Sequence, residues 1–157
     1  MIDRGKLNLL GVAVDGVDYE AAVLRIVRAA KSGQRCTTTA LAVHGVMTGV
    51  LDAEHRYRLN DLDLVVPDGQ PVRWALNLLH RAKLPDRVYG PTLMLSLCEI
   101  AARERLPVFF YGSRLTVVQR LAENLSGRFG GLKIAGFQPS RFRTLSADER
   151  DGIVRDI

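Results

Sequence analysis

The chain has 157 residues, enough to bury one core, and its 47% hydrophobic and 25% charged content is that of a globular protein, not a disordered one. Its 22 Lys and Arg outnumber 17 Asp and Glu, a net charge of +5 that suits an anionic partner such as a nucleotide diphosphate or an acidic lipid surface. The excess is spread along the chain and aromatics make up only 6%, so no basic stretch interleaved with aromatics offers a platform for single-stranded nucleic acid, and no nucleic-acid partner is expected.

The elements alternate. Leu7 to Val14 reads as a strand or hairpin around Gly11 and Gly16. Asp18 is placed to cap a helix over Tyr19–Lys31, with Ala22, Val23, Ile26, Val27 and Ala30 on one face and Gly33 as terminator. Arg35–Val43 is rich in Thr and Val and predicts a strand, and Gly45–Asn60 predicts a helix broken near Asp52. Leu62–Val66 is a second strand, followed by a helix over Val72–Ala82 with Val72, Ala75, Leu76 and Leu79 inward, and another over Thr92–Arg105. Pro107–Tyr111 is a continuous apolar run, expected where both faces of a strand are covered. A helix over Leu115–Phe129 ends at Gly130-Gly131, Leu132–Ala135 forms a strand, and Ser146-Ala147-Asp148-Glu149 is a capping box that opens a last helix.

Strands alternating with helices of this length imply βαβ units and a mostly parallel sheet flanked by helices, an α/β fold of Rossmann-like class read as one domain over residues 1–157. A helix in such a series normally crosses back into a strand. Here the capped helix is the final element, so the expectation is a domain incomplete at its C-terminal end. Cys36, in a strand, and Cys98, on an apolar helical run, belong to no CxxC pair and are expected as small buried hydrophobes. The N-terminus lacks a signal-peptide pattern, and the apolar run Leu93–Ala102 is too short to span a bilayer. The protein is expected in the cytoplasm, with at most a peripheral contact at the inner face of the plasma membrane.

The segment that carries chemistry is Asp63-Leu64-Val65-Val66-Pro67-Asp68-Gly69-Gln70-Pro71: a short apolar strand that runs into a Pro-Asp-Gly turn and then a helix. It presents Asp68 at the carboxyl end of a strand, where ligands of open α/β sheets bind. A carboxylate there serves as a general base or a ligand anchor; the plainer alternative is a turn in which Asp68 caps the following helix. The strand–Gly112-Ser113–helix junction offers backbone amides to a phosphate or a uracil edge, or is an ordinary connection.

The ordered set Asn60-Asp61-Leu62-Asp63-Leu64-Val65-Val66-Pro67-Asp68-Gly69, Val72-Arg73-Trp74-Ala75, Asp86-Arg87-Val88-Tyr89-Gly90-Pro91-Thr92-Leu93, Val108-Phe109-Phe110-Tyr111-Gly112-Ser113 and Gly131-Leu132-Lys133-Ile134-Ala135-Gly136 resembles the WecG/TagA/CpsF glycosyltransferase family over nearly the whole chain. The resemblance implies an inverting, metal-independent enzyme with no cofactor. Such an enzyme moves an N-acetylmannosamine-type or related sugar from a UDP donor to a lipid-linked acceptor in cell-surface polysaccharide synthesis. It also implies that Asp68 is the catalytic base and that Arg87 neutralises the donor diphosphate, with Arg73 a weaker candidate for the same task. The family's T-x-N pattern falls near Ala40 and Ala42, whose side chains form no hydrogen bonds; His44, at the same strand-to-helix turn, is the candidate that takes over, unless it is only a cap. The G-S-D-L pattern reads Gly90-Pro91-Thr92-Leu93, and a G-L-G-x-P-K-Q-E segment that supplies substrate-site residues in the family lies beyond Ile157. A second reading therefore stands beside the enzyme: an inactive, truncated member that binds nucleotide or acts as a scaffold or homo-oligomerisation module.

Overall fold

A computed structural model describes all 157 residues. The architecture is α/β, with short strand pairs flanked by helices, and the chain divides into two compact units, Met1–Leu97 and Cys98–Ile157. No helix is long and apolar enough to cross a membrane.

The first unit opens with an antiparallel hairpin of β1 (Asp3–Leu9) and β2 (Val12–Val17). Its two-residue turn puts Leu10 and Gly11 at φ 56° and 90°, the left-handed pair that matches the twist of the strands. The side chain of Asn8 steadies the turn by accepting the Gly11 N–H. Helix α1 (Tyr19–Ser32) has the expected boundaries: the Asp18 carboxylate accepts the Ala21 N–H, and Gly33 closes the helix in the left-handed conformation. After β3 (Thr38–Leu41) come α2 (Val43–Leu51) and α3 (Ala53–Asp61). The predicted break is one residue, Asp52, which ends α2 and caps α3 by accepting the Glu54 and His55 N–H groups. Then follow β4 (Leu64–Pro67), α4 (Gln70–His80) and α5 (Gly90–Glu104).

β3 and β4 pair in parallel from Thr38↔Leu64 to Leu41↔Pro67. At the amino end, the Thr37 N–H and hydroxyl both donate to the Asp63 carboxylate at 2.7 Å. These bonds, led by the hydroxyl, hold the Asp63 carboxyl below its usual range. All four β4 residues are buried. Val65 packs with the cluster of Val12, Val14, Leu41, Val46, Val72 and Leu76, while Leu64 and Val66 pack with Val17, Ala21, Ala22, Val88 and Leu93. Alternate side chains thus enter opposite cores, which is why the strand is an unbroken apolar run.

β2 lies alongside β4, and a side chain makes the link between them. Asp15, 0% exposed, accepts the Val65 N–H at 2.8 Å through one carboxylate oxygen and Arg25 Nη1 at 2.8 Å through the other. Arg25 Nη2 goes on to the Asp63 carbonyl at 3.2 Å, so α1, β2 and β4 are tied through one ion pair.

Two expectations change here. Leu79 is 59% exposed, because Ala82 and Leu84 of the segment after α4 fill the core beside Leu76 in its place. Cys36 lies just before β3, half-buried.

In the second unit, β5 (Val108–Tyr111) and β6 (Ile134–Gln138) pair in parallel around α6 (Leu115–Arg128), and α7 (Ala147–Asp156) ends the chain. The core is Cys98, Ala101, Phe110, Val118, Ala122, Leu125 and Leu132. Burial pushes the Cys98 thiol pKa up, as for an inert packing residue. Leu132 was expected in β6 but sits in the turn before it, its N–H donating to the Phe129 carbonyl. Of the apolar β5 run only Phe110 is buried, so that strand is not covered on both faces. The capping box is formed as read: the Ser146 hydroxyl accepts the Glu149 N–H and the Glu149 carboxylate accepts the Ser146 N–H.

Two outcomes are expected. Asp15→Ala leaves the Val65 amide and the Arg25 guanidinium without their acceptor and should lower unfolding stability by about 3 kcal/mol in urea denaturation. Glu149 is held at a pKa of about 2, from an ordinary 4.5, by the Arg143 guanidinium first and by the Ser146 N–H. Its ionised form is favoured in the folded state, so its contribution is complete above pH 4.5 and is lost as pH falls towards 2. Amide NMR signals of Ser146 and Glu149 should lose dispersion in that window and not above it.

Candidate functional site

β4 ends on Pro67, and the next amide, Asp68 N–H, extends the parallel ladder by donating to the Leu41 carbonyl at 3.1 Å. Asp68 is half-buried at the carboxyl end of the strand pair. Gly69 then takes φ +85° and ψ 144°, a conformation open to glycine alone, and becomes the residue that starts α4. No side chain caps α4, so the plainer reading of Asp68 as its cap does not hold. The carboxylate turns the other way. Oδ2 accepts the N–H of Gly90, the first residue of α5, over a long 3.4 Å, and Asp68 makes no other side-chain hydrogen bond and no ion pair. One carboxylate oxygen is thus unengaged at the mouth of the strand pair.

The segment Arg81–Tyr89 returns the chain to the same place, and it is stapled from below. Asn77 of α4 donates to the Leu84 carbonyl and accepts the Leu84 N–H, at 2.9 and 2.8 Å. Arg73 Nε donates to the same carbonyl at 2.9 Å and Nη1 to Gln70 Oε1 at 3.2 Å, while Gln70 donates to Asp86 at 2.9 Å. The Val88 N–H reaches the Pro67 carbonyl at 2.8 Å, directly before Asp68, and the Tyr89 N–H donates to the Tyr19 hydroxyl at 2.8 Å. Arg87 therefore leaves a fixed backbone. Its guanidinium makes no salt bridge and stacks on the Tyr89 ring at 4.6 Å.

The sequence candidates fare differently. Asp68 and Arg87 each lie one residue from the Val88–Pro67 backbone hydrogen bond. His44, exposed in the first turn of α2, stands at the same end of the β3–β4 pair and makes no side-chain hydrogen bond, so it is not a cap. Ala42 starts α2 without a side-chain bond, and Ala40 lies so close to α5 that a Cβ on Gly90 would meet its methyl at 3.1 Å. Arg73 is occupied as a staple of the loop. Gly112 (φ 124°) and Ser113 (φ 60°) turn the chain at the carboxyl end of β5, in the second unit. The Gly112 amide donates to the Gln138 carbonyl, whereas the exposed Ser113 hydroxyl makes no hydrogen bond.

Sequence reading passed over Tyr89, Tyr19 and Asn77, which aim and hold the Arg87 loop. The only available signal was an aromatic residue just before the glycine that opens α5. The expectation that no D-x-D cluster is present is corrected by Asp61-Leu62-Asp63, which has that spacing. Asp63 lies at the other end of β4 from Asp68 and is engaged by Thr37 and Arg35.

Chemically, the arrangement offers a carboxylate with one open oxygen and an unpaired guanidinium, each next to the Val88–Pro67 backbone bond. That combination suits proton abstraction next to a bound anion. Among known proteins, residues 7–157 match the Glycosyl transferase WecG/TagA/CpsF family. Over 98 residues the chain is 33% identical to the N-acetylglucosaminyldiphosphoundecaprenol N-acetyl-beta-D-mannosaminyltransferase of Bacillus spizizenii, a stretch that is 62% of this chain and 33% of that protein. The chain thus spans about a third of the length of the curated relative it matches.

Because Gly69 sets the direction in which Asp68 leaves the strand, Gly69→Ala should cost about 1–3 kcal/mol of stability in denaturant titration. Gly127→Ala, in α6 with open space around it and an ordinary φ, should cost nothing.

Proposed function

This chain belongs to the WecG/TagA/CpsF glycosyl transferase family, and we propose that it works as an inverting, metal-independent transferase. It would move an N-acetylmannosamine-type sugar from a UDP donor to a hydroxyl of a lipid-linked acceptor in cell-surface polysaccharide synthesis at the cytoplasmic face of the membrane. The observation that carries this reading is the open oxygen of Asp68, two residues before α4 and directly after a strand buried on both faces.

In the proposed step, that oxygen takes the proton of the acceptor hydroxyl. The acceptor oxygen forms a bond to the anomeric carbon from the face opposite the nucleotide, and the bond from that carbon to the diphosphate oxygen breaks. UDP departs with the electron pair, and the growing charge on its phosphates is met by the Arg87 guanidinium. Support for Arg87 lies in its freedom from any carboxylate and in the staples under its loop, which lessen the ordering needed at the moment of reaction. His44, exposed and without a side-chain hydrogen bond in the first turn of α2, would hydrogen-bond a sugar or acceptor hydroxyl. Arg73 acts by holding the loop.

Asp68→Asn is expected to lower kcat by about 10²–10⁴-fold while UDP affinity, by calorimetry, stays nearly unchanged. Undiminished turnover would refute the assignment of the base. Arg87→Ala should weaken UDP binding by about tenfold or more. Unchanged affinity would remove Arg87 from the diphosphate site.

A further inference from the structure

Tyr19 opens α1, and its ring packs against the cluster that holds Val17, Ala22, Val88 and Leu93. Its hydroxyl accepts the Tyr89 N–H at 2.8 Å, a bond across 70 positions of sequence. A phenol has one donor hydrogen besides its acceptor lone pairs. In Tyr19 the amide of Tyr89 takes a lone pair, and the hydroxyl hydrogen meets no acceptor of the chain. A side chain that only fastened the loop would need the lone pair and not the hydrogen. The amide that donates to the oxygen also polarises the phenol, which makes its O–H a stronger donor.

The surroundings select what that hydrogen meets. Tyr89 carries two donors at once: its amide holds the Tyr19 phenol, and its ring holds the Arg87 guanidinium at 4.6 Å. The next amide, that of Gly90, binds Asp68 Oδ2, so three consecutive amides from Val88 to Gly90 are fastened to Pro67, Tyr19 and Asp68 in turn. A neutral O–H and a guanidinium, both without a protein acceptor and both set on one residue, suit a ligand rich in oxygen lone pairs and negative charge. Under the proposed function, on which this inference rests, that ligand is the nucleotide donor. We propose that Tyr19 is a further binding residue for the donor diphosphate, giving its hydroxyl hydrogen to an oxygen of the phosphates that Arg87 neutralises. Charge grows on those phosphates as the anomeric bond breaks, so the bond from Tyr19 strengthens towards the departing UDP.

Tyr19→Phe removes the hydroxyl and leaves the ring in its cluster, and water can reach the amide of the exposed Tyr89, so folding should be retained, as circular dichroism will check. UDP affinity of this variant, read by NMR titration, should fall about tenfold. Tyr57→Phe, on the exposed side of α3, should leave it unchanged. The double variant Tyr19→Phe, Arg87→Ala separates direct contact from an effect passed through Arg87. It should bind UDP about tenfold more weakly than Arg87→Ala alone. Equal affinity of the two would reduce Tyr19 to a staple of the Arg87 loop and overturn the proposal. A second readout needs no substitution in the site. With tyrosine ¹³C-labelled at Cζ, UDP should move the Tyr19 signal of the unmodified chain, and uridine, which lacks the diphosphate, should not. A Tyr19 signal unmoved at UDP saturation, or moved equally by uridine, would also overturn the assignment. A chain that binds UDP through Arg87 while Tyr19 stays indifferent loses only this residue, whereas a chain that binds no UDP loses the transferase reading and Tyr19 with it.

Discussion

The carboxylate of Asp15 divides itself between the amide of Val65 and the guanidinium of Arg25, out of reach of solvent. Removing such a carboxylate from water is costly, and it is tolerated only when both oxygens are satisfied and the charge is paired. The pair does the work that a backbone ladder would do between β2 and β4. It anchors the middle of β4, while Leu64 and Val66 on one side and Val65 on the other lock the strand into two cores. A strand held on every side leaves only its ends free to act. One end is closed by Thr37 and Asp63, and the other delivers Asp68.

The candidate site is therefore a strand end met by a stapled loop. Strand ends are rigid but offer few side chains; loops offer many but move. Here Asn77 and Arg73 remove that mobility by binding the Leu84 backbone, and the Val88–Pro67 bond joins loop to strand one residue from each functional group. The carboxylate and the guanidinium come from residues far enough apart not to neutralise each other in a salt bridge, and each keeps capacity for a ligand.

What the sequence revealed was local. Asp18 and Gly33 bound α1, Asp52 splits α2 from α3, and Ser146 with Glu149 opens α7, because caps act within one turn of the residue that makes them. The parallel pairing of β3 with β4 and of β5 with β6 followed from the alternation of strands and helices. The position of Asp68 at the carboxyl end of β4 was legible because an apolar run leads directly into the Pro-Asp-Gly turn. Other features depend on partners remote in sequence. Asp15 meets Val65 fifty positions on, Tyr19 meets Tyr89, and Leu79 yields its place to Ala82 and Leu84. Nothing near Asp15 distinguishes it from a surface carboxylate in a hairpin, and helical spacing at Leu79 is satisfied whether or not a later loop fills the core first.

The most direct test of the central claim, that the β4 end and the Arg87 loop form one donor-binding site, is an NMR titration of the ¹⁵N-labelled chain with UDP. The Arg87 Nε–H and the backbone amides of Gly69, Val88 and Gly90 should shift together with a single dissociation constant. Shifts confined to other residues, with these four signals unmoved at saturation, would contradict it.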